Sequence, residues 1–194
     1  MANKKTRAID KQEFELIIST IQQGFITGTG QKIRPNMRIA TALVLEANLG
    51  LRIGDIMKLR LSDIILENNR YRLDIVEQKT QKSRTFTVPT EIYIYLQNYS
   101  LRMGIKPNQR LFNISVRAVQ SHLKMVCDYL GLVGVASHSM RKMFAQEIYK
   151  NNNFDISLIQ HILQHSSLNV TQHYLSIDSK QVEQALQKHI VLPT

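Results

Sequence analysis

Cysteine is nearly absent from this chain of 194 residues: Cys127 stands alone, which excludes an intrachain disulfide and a thiolate cage around a metal. The longest apolar stretch, residues 39–51, is too short to span a bilayer and is interrupted by Glu46 and Asn48. The opening residues, MANKKTRAIDKQEF, contain no apolar core of a secretory signal. Internal repeats, low-complexity tracts and long linkers are missing too. Acidic side chains are scarce beside basic ones, 15 against 25, and the resulting charge of +10 favours a polyanionic partner, since each neutralised phosphate releases condensed counterions. These absences describe a soluble protein of the reducing cytoplasm, with no membrane association.

What is present reads as one ordinary globular core, with 43% apolar and 21% charged residues. Helical spacing dominates. Residues 10–24 put Phe14, Ile17, Ile18 and Ile21 on one face behind an Asp10 cap, and residues 37–48 are apolar almost all round before Gly50 stops them. A short helix over 54–61 follows. The pattern changes after Ser62: an Asn-Asn turn, alternation at Tyr71, Leu73 and Ile75, a polar turn over 79–83, and a last strand with Phe86 and Val88 predict three antiparallel strands. Helical spacing then resumes from 91. Residues 115–131 carry a stripe of Val116, Val119, Leu123, Val126 and Leu130, with Arg117, Gln120 and Lys124 facing away from it. Shorter helices are expected over 138–151, 155–164 and 167–175, then a mostly polar segment over 178–189 edged by Val182, Leu186 and Ile190. The fold class is α+β, mainly α, with one small sheet. Cys127, inside an apolar helical pattern, is a small core hydrophobe.

Six residues in separated blocks carry the chemistry: Arg52 in LGLRIGDIMKL, Lys79 in the hairpin, His138 and Arg141 in SHSMRKMFA, and His165 and Tyr174 in LQHSSLNVTQHYL. Taken singly, each has a plain reading. Arg52 caps a helix end, His138 decorates a helix start, Arg141 and Lys142 are solvated charge, and Tyr174 is a half-buried core tyrosine. His161 and His165 have metal-ligand spacing, but neither a glutamate between them nor an acidic third ligand nearby completes a zinc site. Taken together, a phenol among guanidinium, imidazole and ammonium groups suits nucleophilic attack on a phosphodiester, whose non-bridging oxygens the arginines would neutralise.

In these blocks the chain resembles the tyrosine recombinase (phage integrase) family, over almost its whole length, as that family's catalytic domain. Gly50, Leu51 and Arg52 with Asp55 match the first arginine box. His138 and Arg141 match the His-x-x-Arg box, and Leu163, His165, Ser166 and Tyr174 match the third. Lys79 stands where the family keeps a lysine between the second and third strands, with Lys82 a neighbouring alternative. The resemblance implies that Tyr174 attacks the scissile phosphate of double-stranded DNA to give a 3′-phosphotyrosyl link and a free 5′-hydroxyl. Arg52, Arg141 and His165 would hold the phosphate, Lys79 would protonate the leaving oxygen, and His138 would assist. No metal, ATP or other cofactor is required.

Gln164, Lys142 and Met143 depart from the family's usual residues outside the six chemical positions. The family's N-terminal DNA-clamping domain is absent, so the chain reads as a compact recombinase or an excised fragment, with residues 1–194 as a single catalytic domain. A tetramer around two duplexes is implied, with a free state that is monomeric. Residues 175–194 would dock on a neighbouring protomer or pack on their own domain. Lys82, Arg117, Gln120, Lys124 and Lys142 are further DNA contacts. Two alternatives share the fold: a regulatory DNA-binding protein without recombination, and a type IB topoisomerase-like relaxing enzyme.

Overall fold

The computed structural model describes the backbone of residues 6–76, 83–163 and 168–175. Lys79, Lys82, His165 and the segment after Leu175 lie outside the described residues. The chain divides into two compact units, Met1–Phe144 and Ala145–Thr194.

In the first unit, α1 (Lys11–Gln23) starts at a reciprocal cap: the Glu13 amide donates to Asp10 at 2.8 Å, and the Asp10 amide donates to the Glu13 carboxylate at 3.2 Å. Its expected face is buried through Ile17, Ile18 and Ile21. The chain then forms a two-stranded ribbon, β1 (Phe25–Ile26) with β2 (Lys32–Ile33), too short to leave an alternation in the sequence. Next, α2 (Met37–Leu49) runs through the core with Ile39, Ala40, Ala42, Leu43, Leu45 and Leu49 buried, together with Glu46. Gly50 ends it in a left-handed conformation, φ 58°, as the stop signal predicts.

The short helix expected over 54–61 is only α3 (Ile53–Ile56). A distant strand segment competes for the rest: the Leu111 amide donates to the Leu59 carbonyl at 2.8 Å and Arg60 bridges Arg110, which pulls residues 59 and 60 into extended backbone. A 3-10 turn, Leu61–Asp63, leads into the antiparallel sheet of β3 (Ile64–Glu67), β4 (Arg70–Val76) and β5 (Ser83–Val88), in that order. Asn68 and Asn69 both take positive φ, 47° and 61°, as the expected Asn-Asn hairpin turn requires. Tyr71 of β4 stacks on Tyr93 of α4 (Thr90–Met103), with ring centroids 3.8 Å apart, which ties the sheet to the helices. The next helix, α5 (Val116–Leu130), buries Val119, Leu123, Val126 and Cys127, with Val116 and Leu130 half-buried at either end of the same stripe. Burial pushes the Cys127 thiol up to about 11, as suits an unreactive core residue.

The division between the units falls within α6 (His138–Asn151). In the second unit α7 (Ile156–Leu163) packs against α8 (Leu168–Leu175). Ile159, Leu163, Thr171 and Leu175 are buried there, and the Gln146 side chain donates to the Leu175 carbonyl at 3.1 Å. No helix among the described residues is long and apolar enough to cross a membrane.

Gly50 meets two demands at once. Its φ is positive, and a Cβ built on it would lie 2.4 Å from the Phe144 ring. Gly50→Ala is therefore expected to cost about 2–4 kcal/mol, from left-handed strain plus overpacking. Urea denaturation checks this: a loss below 1 kcal/mol would mean that Phe144 moves aside freely.

Candidate active site

Two of the sequence-predicted blocks meet in the first unit. Arg141 stands one turn into α6 and is fully buried, the largest side chain among the described residues to be so. Its Nη1 donates to the carbonyl of Gly50, 91 residues earlier, at 2.5 Å. That carbonyl lies at the C-terminal end of α2, where the helix dipole presents negative charge to a cation. Arg52 follows two residues later as the N-cap of α3, half-buried, its carbonyl accepting the Asp55 and Ile56 amides at 2.9 and 3.1 Å. Two residues of chain reach at most about 7 Å, so Arg52 and the Arg141 contact belong to one small region. Phe144, three residues past Arg141, covers Gly50 from the same helix.

His138 opens α6 and is exposed. The turn beneath it is fastened by Ser139, whose Oγ accepts the Ala136 amide at 3.0 Å while its own amide donates to the Ala136 carbonyl at 2.8 Å. Arg141 is not the solvated charge that the plain reading of it gives, and neither is Lys142. The Lys142 side chain is 7% exposed and its ammonium donates to the Thr6 carbonyl at 2.5 Å. It fastens the N-terminal segment to α6, which withdraws it from the candidate DNA contacts. Arg7 strengthens the same strap, with its guanidinium on the Val133 carbonyl at 2.9 Å and in a bidentate pair with Glu13 at 2.6 and 2.7 Å.

Arg117, Gln120 and Lys124 are exposed on α5, opposite its buried stripe, as the 3-4 spacing predicts. Lys124 also pairs with Asp128 at 2.5 Å, an exposed contact worth little. In the second unit Tyr174 is the penultimate residue of α8, and its side chain is outside what the structure describes. Among the described residues no cluster of three or more His, Cys, Asp or Glu side chains could hold a metal ion.

Sequence reasoning missed Glu46. It is 0% exposed, and no side chain hydrogen-bonds to either carboxyl oxygen. Burial drives its pKa well above the ordinary carboxylate range, against the opposing fields of Arg141 and the Ile53 amide. The available signal was a lone acid inside an otherwise apolar helix.

A family model described as the phage integrase family matches residues 7–181. A probable integrase/recombinase, YoeC, of Bacillus subtilis is 30% identical over 154 residues, covering 75% of this chain and 81% of its own. The tyrosine recombinase XerC of Caldanaerobacter subterraneus is 28% identical, covering 76% of this chain but 43% of its own length. For XerA of Pyrococcus furiosus the figures are 26%, 94% and 61%, so this chain spans only about half the length of these longer relatives. Among solved structures, the XerA recombinase superposes over 97% of this chain and 67% of its own with a TM-score of 0.68 at 20% identity. The catalytic domain of bacteriophage HP1 integrase superposes over 95% and 96%, with a TM-score of 0.64 at 17% identity. The mainly helical architecture with a small antiparallel sheet is thus that of tyrosine recombinase catalytic domains.

Glu46 gives a stability signature. A carboxyl whose folded pKa is raised keeps its proton in the native state after the unfolded chain has lost it, so stability falls as pH rises above the ordinary value of 4.5. Glu46→Gln removes that slope. The melting temperature of the variant, relative to the unsubstituted protein, is expected to climb as pH rises above the ordinary carboxylate value of 4.5. A constant difference would show that Glu46 is not held protonated by the fold.

Proposed function

The chain belongs to the phage integrase family, and from that membership we propose that it cuts and rejoins double-stranded DNA at specific sites through a covalent link to Tyr174. The phenolic oxygen of Tyr174 attacks the scissile phosphorus, the bond from phosphorus to the 5′-oxygen breaks, and the 3′ end remains joined to the tyrosine. The leaving 5′-oxygen takes its proton from Lys79. Rejoining runs the same steps backwards with a new 5′-hydroxyl, so the bond energy is conserved in the phosphotyrosine and no cofactor is consumed. Arg52 and Arg141 neutralise the non-bridging oxygens, helped by His165, and His138 moves the proton at the nucleophile or orients the phosphate.

One observation carries this reading: the buried Arg141 guanidinium on the Gly50 carbonyl, which draws the second box onto the first and leaves both arginines in one region. DNA as partner is supported by the XerH recombinase, solved bound to its difH substrate, and by a lambda integrase dimer solved on a core site. Residues 1–194 act as one catalytic domain, four copies assemble around two duplexes, and the residues after Leu175 dock on a neighbour. The soluble, cytoplasmic setting follows from the substrate.

Tyr174→Phe is expected to abolish covalent protein–DNA adducts on a nicked suicide substrate, read by denaturing gel and mapped by mass spectrometry. Adduct persisting in the variant would remove Tyr174 as the nucleophile. Arg52→Lys keeps a charge but loses the bidentate fork, and is expected to slow cleavage at least a hundredfold while DNA affinity changes less than threefold. Equal losses in both would make Arg52 a binding residue only. Relaxation of a supercoiled plasmid without target sites would favour a swivelling topoisomerase instead.

A further inference from the structure

Three arginines outside the proposed active site share one cavity. Arg38, Arg60 and Arg110 line a concavity of about 500 Å³ with Asn108, Gln109 and Asn113, and none of the described residues lining it is acidic. Arg60 and Arg110 are partners across an isolated antiparallel bridge, so two like charges stand directly opposite each other, an arrangement that destabilises a sheet. Arg38 closes the third side, with its Nη1 3.5 Å from the Asn113 carbonyl. The nearest acid in the sequence, Asp63, does not pair with these guanidinium groups. Its carboxylate accepts the backbone amide of Arg60 at 2.8 Å.

The frame behind the charges is rigid. The Leu111 amide donates to the Leu59 carbonyl at 2.8 Å, and the Ser62 amide donates to the Pro107 carbonyl at 2.9 Å. Between them, residues 106–109 form a closed turn: the Gln109 amide donates to the Lys106 carbonyl and the Lys106 amide to the Gln109 side chain, both at 2.9 Å. Behind Arg38, the Tyr99 hydroxyl donates to the Leu111 carbonyl at 3.2 Å. Three cations carried by one rigid frame, with no carboxylate among the described residues that line the cleft, favour binding of an anion.

The cleft is set apart from the catalytic arginines. Arg38 lies in the first turn of α2 and Gly50 at its far end, 12 residues on, which at about 1.5 Å each is about 18 Å. At about 3.4 Å per nucleotide along one strand, that is a reach of about five base pairs of duplex.

We propose that the Arg38, Arg60 and Arg110 cleft is an accessory phosphate-binding site, which grips the DNA backbone about five base pairs from the phosphate being cleaved. The proposal rests on the reading of this chain as a DNA-cleaving enzyme and adds to it a contact that supplies affinity without chemistry. The openness of Arg60 and Arg110 to solvent and the +10 charge of the chain favour a polymer backbone over a small phosphorylated molecule.

The experiment measures duplex binding by fluorescence anisotropy between ~50 and ~200 mM salt, for the unsubstituted protein and for Arg60→Gln/Arg110→Gln. Both side chains are exposed, so folding is not at stake. Lys32→Gln/Arg34→Gln, exposed cations at the other, two-stranded ribbon, serve as the control. Loss of two phosphate contacts is expected to lower the slope of log affinity against log salt by about 2 and to weaken binding at least tenfold. A slope and affinity no different from the control would overturn the proposal. Titration with inorganic pyrophosphate separates the two sources of phosphate: a variant that loses pyrophosphate binding but keeps full duplex affinity would also overturn it. Adduct formation on the suicide substrate at saturating protein is scored in parallel. An unchanged salt slope with normal adduct removes the cleft alone, whereas absence of adduct from the unsubstituted protein removes the cleavage reading, and the salt slope still decides the cleft.

Discussion

A whole guanidinium withdrawn from water is the constraint that organises the first unit. Stripping hydration from an ion costs several kcal/mol even after the protein relaxes, so an arginine at 0% exposure requires fixed negative partners. Here the C-terminal end of α2 supplies one, through the Gly50 carbonyl and the dipole behind it. The need for that carbonyl explains why the helix must stop at Gly50 in a left-handed turn, and why Phe144 can settle on a residue without a side chain. A contact joining positions 91 apart in sequence thereby fixes the relation of two blocks that local propensity could never bring together.

Much of this was legible in the chain because periodicity and capping act locally. The α5 stripe, the Asp10 cap, the stop at Gly50 and the Asn-Asn hairpin each declare themselves within a dozen residues, and the structure repeats them. What was illegible depended on distant partners. Residues 57–61 have helical spacing, but the Leu111 amide and Arg110 take residues 59 and 60 into extended pairing. Strands of two residues leave no alternation to read, hence the missed ribbon of β1 and β2. Lys142 was misread for the same reason: its carbonyl partner belongs to Thr6, 136 positions away. The family resemblance identified Arg52, His138 and Arg141 by pattern, but only folding could reveal that Arg141 is interior, and that the lone acid of α2 stands beside it.

Cations divide by burial in this protein, and the division tracks what charge can do in each setting. At the surface, a unit charge acting across 4 Å of water is worth about 1 kcal/mol and is weakened further by salt. Side chains such as Arg117, Lys124, Arg60 and Arg110 can therefore attract and hold a polyanion cumulatively and reversibly. A guanidinium in the interior faces a lower dielectric, where any charge brought against it is felt more strongly. Steering by many weak contacts and stabilisation by one strong contact are different tasks, and a chain with ten excess positive charges has material for both.

The contrast within a single turn of α6 extends this logic. His138 and Arg141 are three residues apart, so they project from neighbouring positions on one face of the helix. Yet the imidazole is exposed while the guanidinium is buried. A group that must exchange protons gains from contact with water, because its charge has to change during the reaction. In the proposed reaction a guanidinium gains from exclusion of water, because the lower dielectric strengthens its pull on a phosphate while its own high pKa keeps it charged. One helical turn running from solvent to interior supplies both environments about 5 Å apart without any further element. At one residue less the two side chains would leave that shared face.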